Sequence, residues 1–152
     1  MNTAASQQSS YALGHSEQEL ERLAHQAQVF APFTRQLFQQ AGIGSGMRIL
    51  DVGCGAGDVA FLAAALVGPN GEVVGADHSA AAVEWALARA QKQRISNVKF
   101  LEGDPVALEF EQQFDAVLGR LRKLARHVRR GGLIIFQEFD MENARSFPTA
   151  PT

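Results

Sequence analysis

Short apolar runs alternate with amphipathic segments along most of this chain, and the alternation predicts the order of its structural elements. Apolar runs of strand length occupy residues 47–52, 72–76, 98–101, 114–118 and 133–139. Helical spacing of apolar positions fills residues 58–67, residues 80 to about 94 and residues 121–131. About five strands that alternate with helices predict an α/β fold with a parallel sheet and helices on both faces.

Two helices are predicted ahead of the first strand, with a proline between them. Ser16 and Glu19 have the spacing of a capping box, which indicates a helix start. Pro32 predicts a break, because proline lacks a backbone N–H and its ring clashes with the preceding turn. The second helix is predicted to run to about Gln40. Residues 1–10 are small and polar, and we predict that they form a disordered tail.

The densest chemical signal follows the first predicted strand. Gly53, Gly55 and Gly57 stand at every second position, with Asp51 ahead of them and a helix directly after them. Glycine lets the backbone turn sharply and lie against a ligand. The amide groups at the start of the next helix are then free to face that ligand. The pattern predicts a nucleotide-type cofactor site at the end of the first strand of an α/β sheet.

The glycine spacing separates two kinds of cofactor. Dinucleotide enzymes favour G-x-G-x-x-G, whereas here the third glycine comes one residue early, at Gly57, and Asp58 fills the expected place. An NAD-linked oxidoreductase is therefore the less favoured alternative. The run D-x-G-x-G-x-G, residues 51–57, resembles motif I of the class I S-adenosylmethionine-dependent methyltransferases.

The resemblance extends from about Tyr11 to Phe147. Other matching segments are residues 13–16, 73–77, 100–104, 114–120 and 127–132. It implies a Rossmann-like domain over residues 46–152, a helical lid over residues 11–45, S-adenosylmethionine as cofactor and methyl transfer to a small molecule. A cofactor-binding remnant without catalytic activity is the main alternative.

Ligands of such sheets bind outside the carboxyl ends of the strands, which defines the candidate residues. Asp77 is placed to accept hydrogen bonds from ribose hydroxyls, or alternatively to cap a helix or loop. The resemblance implies that Asp104 accepts from the adenine amino group, although Gly-Asp-Pro is also ordinary turn chemistry. It implies that Asp51 faces the amino end of the methionine moiety, while holding the loop amides is the structural alternative. The predicted cofactor-binding residues are Asp51, Gly53, Cys54, Gly55, Gly57, Asp77, His78, Asp104, Pro105 and Gly119.

No residue is predicted to be a catalytic base, and no metal site is predicted. Cys54 has no basic partner nearby, so we interpret it as a small residue whose backbone contacts the cofactor. The histidines lack metal-ligand spacing, and we predict that His25 and His127 lie on helix surfaces. Trp85 is predicted to pack its helix against the rest of the domain.

Composition and charge limit the classes of binding partner that the chain is expected to have. The chain has 152 residues and a formal net charge of −2, which gives no attraction to nucleic acid or to an anionic membrane. The basic residues between 120 and 130 are predicted to form a solvated helix face. The longest apolar run, residues 59–67, is too short to span a bilayer, and no signal peptide is evident. A cytoplasmic protein is the expectation.

Two departures from the resembled family bear on assembly. The resembled family carries a further segment between the fourth strand and the helix after it, so this chain is expected to be shortened there. Twelve residues, Arg120 to Gly131, connect the fourth and fifth predicted strands, and a crossover usually takes a dozen or more. The family's C-terminal antiparallel strand pair is lacking, so the domain is expected to be incomplete. An open fifth strand then predicts a homo-oligomer formed through that edge.

Overall fold

A computed structural model of the chain describes residues 17–119 and 122–135. Five strands form one parallel sheet in the order β3-β2-β1-β4-β5. The α-helices are α1 (Glu17–Gln40), α2 (Asp58–Val67) and α3 (Ala80–Gln93), and Arg122–His127 forms a short 3-10 helix. The strands are β1 (Arg48–Val52), β2 (Glu72–Asp77), β3 (Val98–Glu102), β4 (Phe114–Leu118) and β5 (Val128–Ile135). The sequence therefore predicted the Rossmann-like parallel sheet correctly.

The order of the strands reverses at β1. After β1 the chain builds β2 and β3 on one side, and then returns to add β4 and β5 on the other. β1 is thus hydrogen-bonded to a parallel neighbour along both edges, which explains why three of its five residues are buried. Such a reversal point leaves a crevice at the carboxyl ends of the central strands, where ligands of α/β sheets bind.

One face of the sheet carries the larger core. Helices α2 and α3 cover it, and α1 packs on α2. Ala60, Ala63 and Ala64 of α2 are buried, and these small side chains let the helix approach the sheet closely. Phe38 of α1 is 1% exposed within the same cluster, so the C-terminal end of this helix is part of the domain core.

The other face is covered mainly by the connection between β3 and β4. Val106 and Phe110 from this connection pack on a buried cluster formed by β1, β2 and β4. The rings of Phe110 and His127 meet edge to face, with centroids 5.2 Å apart, which brings the end of the 3-10 helix onto this layer.

The predicted break at Pro32 is wrong, because α1 runs through this residue without interruption. A proline inside a helix removes one backbone hydrogen bond. Buried residues on both sides of Pro32, Leu20 before it and Thr34 and Phe38 after it, anchor the helix to the domain. Packing on both sides thus offsets the local cost of the proline.

The predicted helix over residues 121–131 is also wrong. The structure has the 3-10 helix and then extended backbone, and β5 begins at Val128 instead of residue 133. The register passes from Phe114↔Val128 to Ala116↔Leu133, so the β5 backbone bulges between these pairs, where Gly131 has a φ of 74°. The side chain of Arg129 donates to Asp115 of β4 at 2.7 Å, which holds the bulge to the neighbouring strand. Residues 136–139 of the predicted strand lie outside the described residues.

The packing beside Gly75 gives a stability prediction. A Cβ at this β2 position would lie 2.7 Å from the Phe100 ring and 3.0 Å from the Cys54 Cβ. Overpacking a buried site costs about 1–3 kcal/mol, so we expect Gly75→Ala to lower the free energy of unfolding in urea by that amount. Gly44→Ala is the matched control, because its Cβ would meet nothing within 4 Å. Equal unfolding midpoints for the two variants would contradict the described packing.

Candidate functional site

The loop after β1 is a left-handed glycine turn. Gly53, Gly55 and Gly57 have φ angles of 72°, 53° and 91°, a region that side chains with a Cβ rarely adopt. A Cβ at Gly57 would lie 2.8 Å from the Phe100 ring, so this position is also closed by packing. At Gly53 and Gly55 a Cβ would meet nothing within 4 Å. The first two glycines therefore border open space, as a loop that lies against a ligand requires.

Hydrogen bonds tie this loop to the end of β2. The amides of Gly53 and Cys54 donate to the Ala76 carbonyl at 2.8 and 3.1 Å. The Asp77 carboxylate accepts from the Gly55 amide through Oδ2 and from the Ser79 amide through Oδ1, each at 2.9 Å. Asp77 thus holds both the glycine loop and the start of α3. Each carboxylate oxygen can accept a further hydrogen bond, so this structural role is compatible with binding sugar hydroxyls.

Asp51 is the most unusual group at this end of the sheet. Its residue is 5% exposed, and burial raises the pKa of its carboxyl group to about 7, assisted by the negative charges of Asp77 and Asp58. The backbone N–H of Ala60 in α2 acts in the opposite direction and lowers that pKa. Oδ2 of Asp51 is buried without a hydrogen-bond partner; in the described part of the chain Trp85 Nε1 alone shares this condition.

A buried carboxylate oxygen without a partner is costly unless a donor or cation reaches it. The orphaned Oδ2 of Asp51 and the open space beside Gly53 and Gly55 therefore fit a ligand that carries a positively charged or donor group. The ammonium of S-adenosylmethionine is such a group, and the residues present are suited to it.

The end of β3 adjoins the same loop cluster. The Gly103 amide donates to the Asp77 carbonyl at 2.9 Å, so Asp104 follows immediately beside the β2 end. Asp104 is exposed, and its Oδ1 accepts from the Val106 amide at 2.9 Å, which is the turn chemistry considered as the alternative. Pro105 is buried behind this turn.

Gly119 brings the end of β4 against β1 on the other side. Its amide donates to the Ile135 carbonyl at 3.1 Å, and a Cβ here would lie 3.0 Å from the Cβ of Val52. Its φ of 146° also favours glycine. The structure therefore brings the predicted site residues together at the carboxyl ends of the strands. Gly119 lies at the end of β4, on one side of β1. The three carboxylates belong to β1 itself and to the ends of β2 and β3 on its other side.

His127 is buried, so the prediction that it lies on a helix surface is wrong. It is 8% exposed, and its ring donates to the Pro105 carbonyl while Arg126 Nε donates to its Nε2 at 3.2 Å. Burial, followed by the charge of Arg126, lowers the pKa of His127. The irregular connection before β5 makes this contact possible, because it turns the residue toward Phe110 instead of solvent.

The remaining candidates are inert or exposed. Cys54 is 7% exposed, and burial is the main reason that the pKa of its thiol is raised well above its usual range. A thiol of this kind is a poor nucleophile. His78 is exposed beside Asp77. Within residues 17–119 and 122–135, no group of three or more potential metal ligands is present.

Arg89 contacts the glycine loop but is not among the site residues predicted from the sequence. Its Nη1 donates to the Ala56 carbonyl at 2.8 Å, and its Nη2 donates to Asp58 Oδ1 at 2.9 Å. Its guanidinium also lies 5.0 Å from the ring centroid of Phe61. No sequence pattern could reveal this contact, because the partners lie about thirty residues apart and meet only when α3 packs beside the loop.

The N-terminal helix reaches the loop as well. Leu20 of α1 packs with Ala56 of the glycine loop, Ala82 of α3 and Trp85. Trp85 is therefore a packing residue, as predicted. No helix in the described ranges is both long and apolar enough to cross a membrane.

The raised pKa of Asp51 makes stability depend on pH. Since the folded pKa, about 7, lies above the ordinary 3.8, the protonated carboxyl group favours the folded state. That contribution is complete below pH 3.8 and is lost as the pH rises through 7. The quantity to compare is the difference in unfolding free energy between the wild type and Asp51→Asn. We expect this difference to fall by roughly 2–3 kcal/mol between about pH 5 and pH 8.

Asp115→Asn is the matched control for this titration. The backbone N–H of Arg48 and then the side chain of Arg129 lower the pKa of Asp115, so its contribution is present above its unfolded pKa and constant over the same range. Urea denaturation of the three proteins at several pH values measures both differences. A flat difference for Asp51→Asn would refute the raised pKa.

Comparisons with known proteins agree with this geometry. A family profile described as a methyltransferase domain matches residues 43–144, more than half of the chain. Among curated relatives, demethylmenaquinone methyltransferase of Lactococcus lactis subsp. lactis is 34% identical over 120 residues, covering 70% of this chain and 45% of the relative. The enzyme of that name from Staphylococcus aureus is 31% identical over 130 residues, with 77% and 51% covered. The chain spans about half the length of these relatives.

Solved structures show the same fold. A protein-L-isoaspartate O-methyltransferase aligns with a TM-score of 0.62 and 25% identity, over 68% of this chain and 35% of that chain. Coclaurine N-methyltransferase, solved with N-methylheliamine and S-adenosylhomocysteine, aligns with a TM-score of 0.62 and 22% identity, over 70% and 35%. Together with the profile match, the strand order and the glycine loop, these similarities show that the chain belongs to the class I S-adenosylmethionine-dependent methyltransferase family.

Proposed function

We propose that this chain binds S-adenosylmethionine at the carboxyl ends of its strands and functions in methyl transfer to a small molecule. The observation that carries the proposal is the buried Oδ2 of Asp51, which has no hydrogen-bond partner among the described residues and belongs to the residue two positions before a glycine loop open to a ligand. The NAD-linked alternative is disfavoured by the glycine spacing, because Asp58 stands where the dinucleotide pattern has its third glycine.

Each part of the site suits one part of the cofactor. In this proposal Asp51 pairs with the methionyl ammonium, and Gly53 and Gly55 let the backbone lie against the ligand. Asp77 accepts from the ribose hydroxyls through its remaining lone pairs, and Asp104 accepts from the adenine amino group. The other proposed contacts are Cys54, Gly57, His78, Pro105 and Gly119.

When bound, S-adenosylmethionine supplies an activated methyl group. The chain's own residues then need to hold the acceptor in line with it and exclude water, which is a proximity effect. Leu20 packs α1 against Ala56 of the glycine loop, which supports the proposal that the N-terminal segment forms a lid. We assign no general base.

The curated relatives suggest the class of acceptor. Those in L. lactis and S. aureus are named for demethylmenaquinone, a small-molecule quinone, so we propose that class as the first to test. Within the described residues, β5 is the outermost strand of the sheet, which supports the further proposal that two copies associate through this strand.

Cofactor binding tests the assignment of Asp51. We expect S-adenosylhomocysteine to bind in isothermal titration, and Asp51→Asn to weaken it roughly ten- to a hundredfold, because a charge-assisted hydrogen bond is lost. Binding near pH 7 should release a proton, since the ligand ammonium lowers the pKa of Asp51. Buffers with different ionisation enthalpies measure that release.

Two controls isolate the contact. 5′-Methylthioadenosine lacks the amino-acid portion, so its affinity should be the same in the wild type and in Asp51→Asn, with no proton release. Asp115→Asn removes a carboxylate that pairs with Arg129 of β5. This variant should bind both ligands with wild-type affinity. Tight binding of reduced nicotinamide cofactor, with no binding of S-adenosylhomocysteine, would overturn the proposed function.

Turnover tests the second half of the proposal. We expect S-adenosylhomocysteine to form from S-adenosylmethionine when a demethylmenaquinone analogue is added. Chromatography of the reaction mixture measures this product. Asp77→Asn should reduce the rate at limiting cofactor, because it weakens a bond to the glycine loop and the proposed ribose contact. Cofactor binding without methyl loss over a broad panel of small acceptors would instead support a binding module without catalytic activity.

A further inference from the structure

Arg89 of α3 contacts both the glycine turn and the start of α2, which lie about thirty residues before it in the sequence. One arm of its guanidinium donates to the Ala56 carbonyl, inside the glycine turn, and the other donates to the carboxylate of Asp58, the first residue of α2. The Gly57 amide donates to the Cys54 carbonyl at 2.9 Å. The peptide between Ala56 and Gly57 is therefore fixed at both its oxygen and its N–H.

This contact is partly shielded from water. The side chains of Arg89 and Asp58 are 23% and 21% exposed, and the guanidinium lies over the ring of Phe61. Phe61 meets Phe100 edge to face, with centroids 5.5 Å apart, and Phe100 closes the space beneath Gly57. Arg89 thus rests on the same aromatic pair that determines where the glycine turn can lie.

The charges around Asp51 give this contact an electrostatic role. Asp77 at the end of β2 and Asp58 at the start of α2 act on Asp51 with like charge, while the Ala60 amide stabilises its charged form. The buried thiol of Cys54 lies on the loop itself. Arg89 extends from α3 and forms an ion pair with Asp58, one of the two carboxylates that act on Asp51.

We propose that Arg89 is a positioning residue for the cofactor site: its planar fork fixes the glycine turn through Ala56, and its charge offsets Asp58 beside Asp51. The inference rests on the proposed function. Lysine cannot replace both effects, because a single ammonium matches the charge but not the two-armed geometry. Arginine side chains also stack on aromatic rings, as this one does on Phe61.

The ionisation of Asp51 in the free protein tests the electrostatic half. Titration of its carboxyl carbon by NMR should give a higher midpoint in Arg89→Met, by roughly half a unit or more, because Asp58 is left unpaired. Asp58→Asn should lower the midpoint, and the double variant should return it toward the wild type. Lys92→Met, an exposed cation lost from the same helix, should leave it unchanged.

S-adenosylhomocysteine affinity tests the geometric half. Arg89→Lys should keep the wild-type midpoint of Asp51 but bind several-fold more weakly at every pH between about 6 and 8. Wild-type affinity in Arg89→Lys, or equal Asp51 midpoints in Arg89→Met and Lys92→Met, would overturn the inference. If circular dichroism shows that Arg89→Met does not fold, Asp58→Asn and Arg89→Lys decide in the same way. Failure of the wild type to bind would refute the proposed function, while the titration of the free protein still decides the role of Arg89.

Discussion

The candidate site depends on how a left-handed glycine turn is held in place. The residues of such a turn do not by themselves fix one conformation, because glycine can adopt many backbone conformations. Asp77 supplies the constraint by accepting from the Gly55 amide and from the Ser79 amide at the start of α3. One carboxylate therefore links the end of β1, the end of β2 and the next helix.

A second constraint comes from charge. Burial is the main reason that the pKa of Asp51 is raised, and the negative charges of Asp77 and Asp58 raise it further. Crowding of like charges is costly to the folded state, and such arrangements are concentrated at functional sites. A cationic ligand group would relieve this repulsion, so the feature that costs stability is also the one that favours binding.

The opposite end of the sheet is built differently. There Arg48 and Lys99 both pair with Glu72, and Arg129 pairs with Asp115. These ion pairs link β1, β2 and β3 through Glu72, and β4 and β5 through Asp115. The backbone N–H of Arg48 donates to Asp115 Oδ2 at 2.7 Å and connects the two groups. The polar groups near the amino ends therefore stabilise the sheet, whereas those at the carboxyl ends include an acceptor without a partner.

The sequence alone determined strands β1 to β4, the presence of a fifth strand, the helices that follow β1 and β2, and the glycine loop with its acidic neighbours. These features are local: apolar periodicity and glycine spacing act over a few residues, so they are visible without a fold. Only the tertiary structure decided that α1 continues through Pro32, that the segment after β4 becomes a 3-10 helix and an early strand, and that Arg89 reaches the loop. Each of these outcomes depends on contacts between residues distant in the chain, which override local propensity and leave no periodic trace in the sequence.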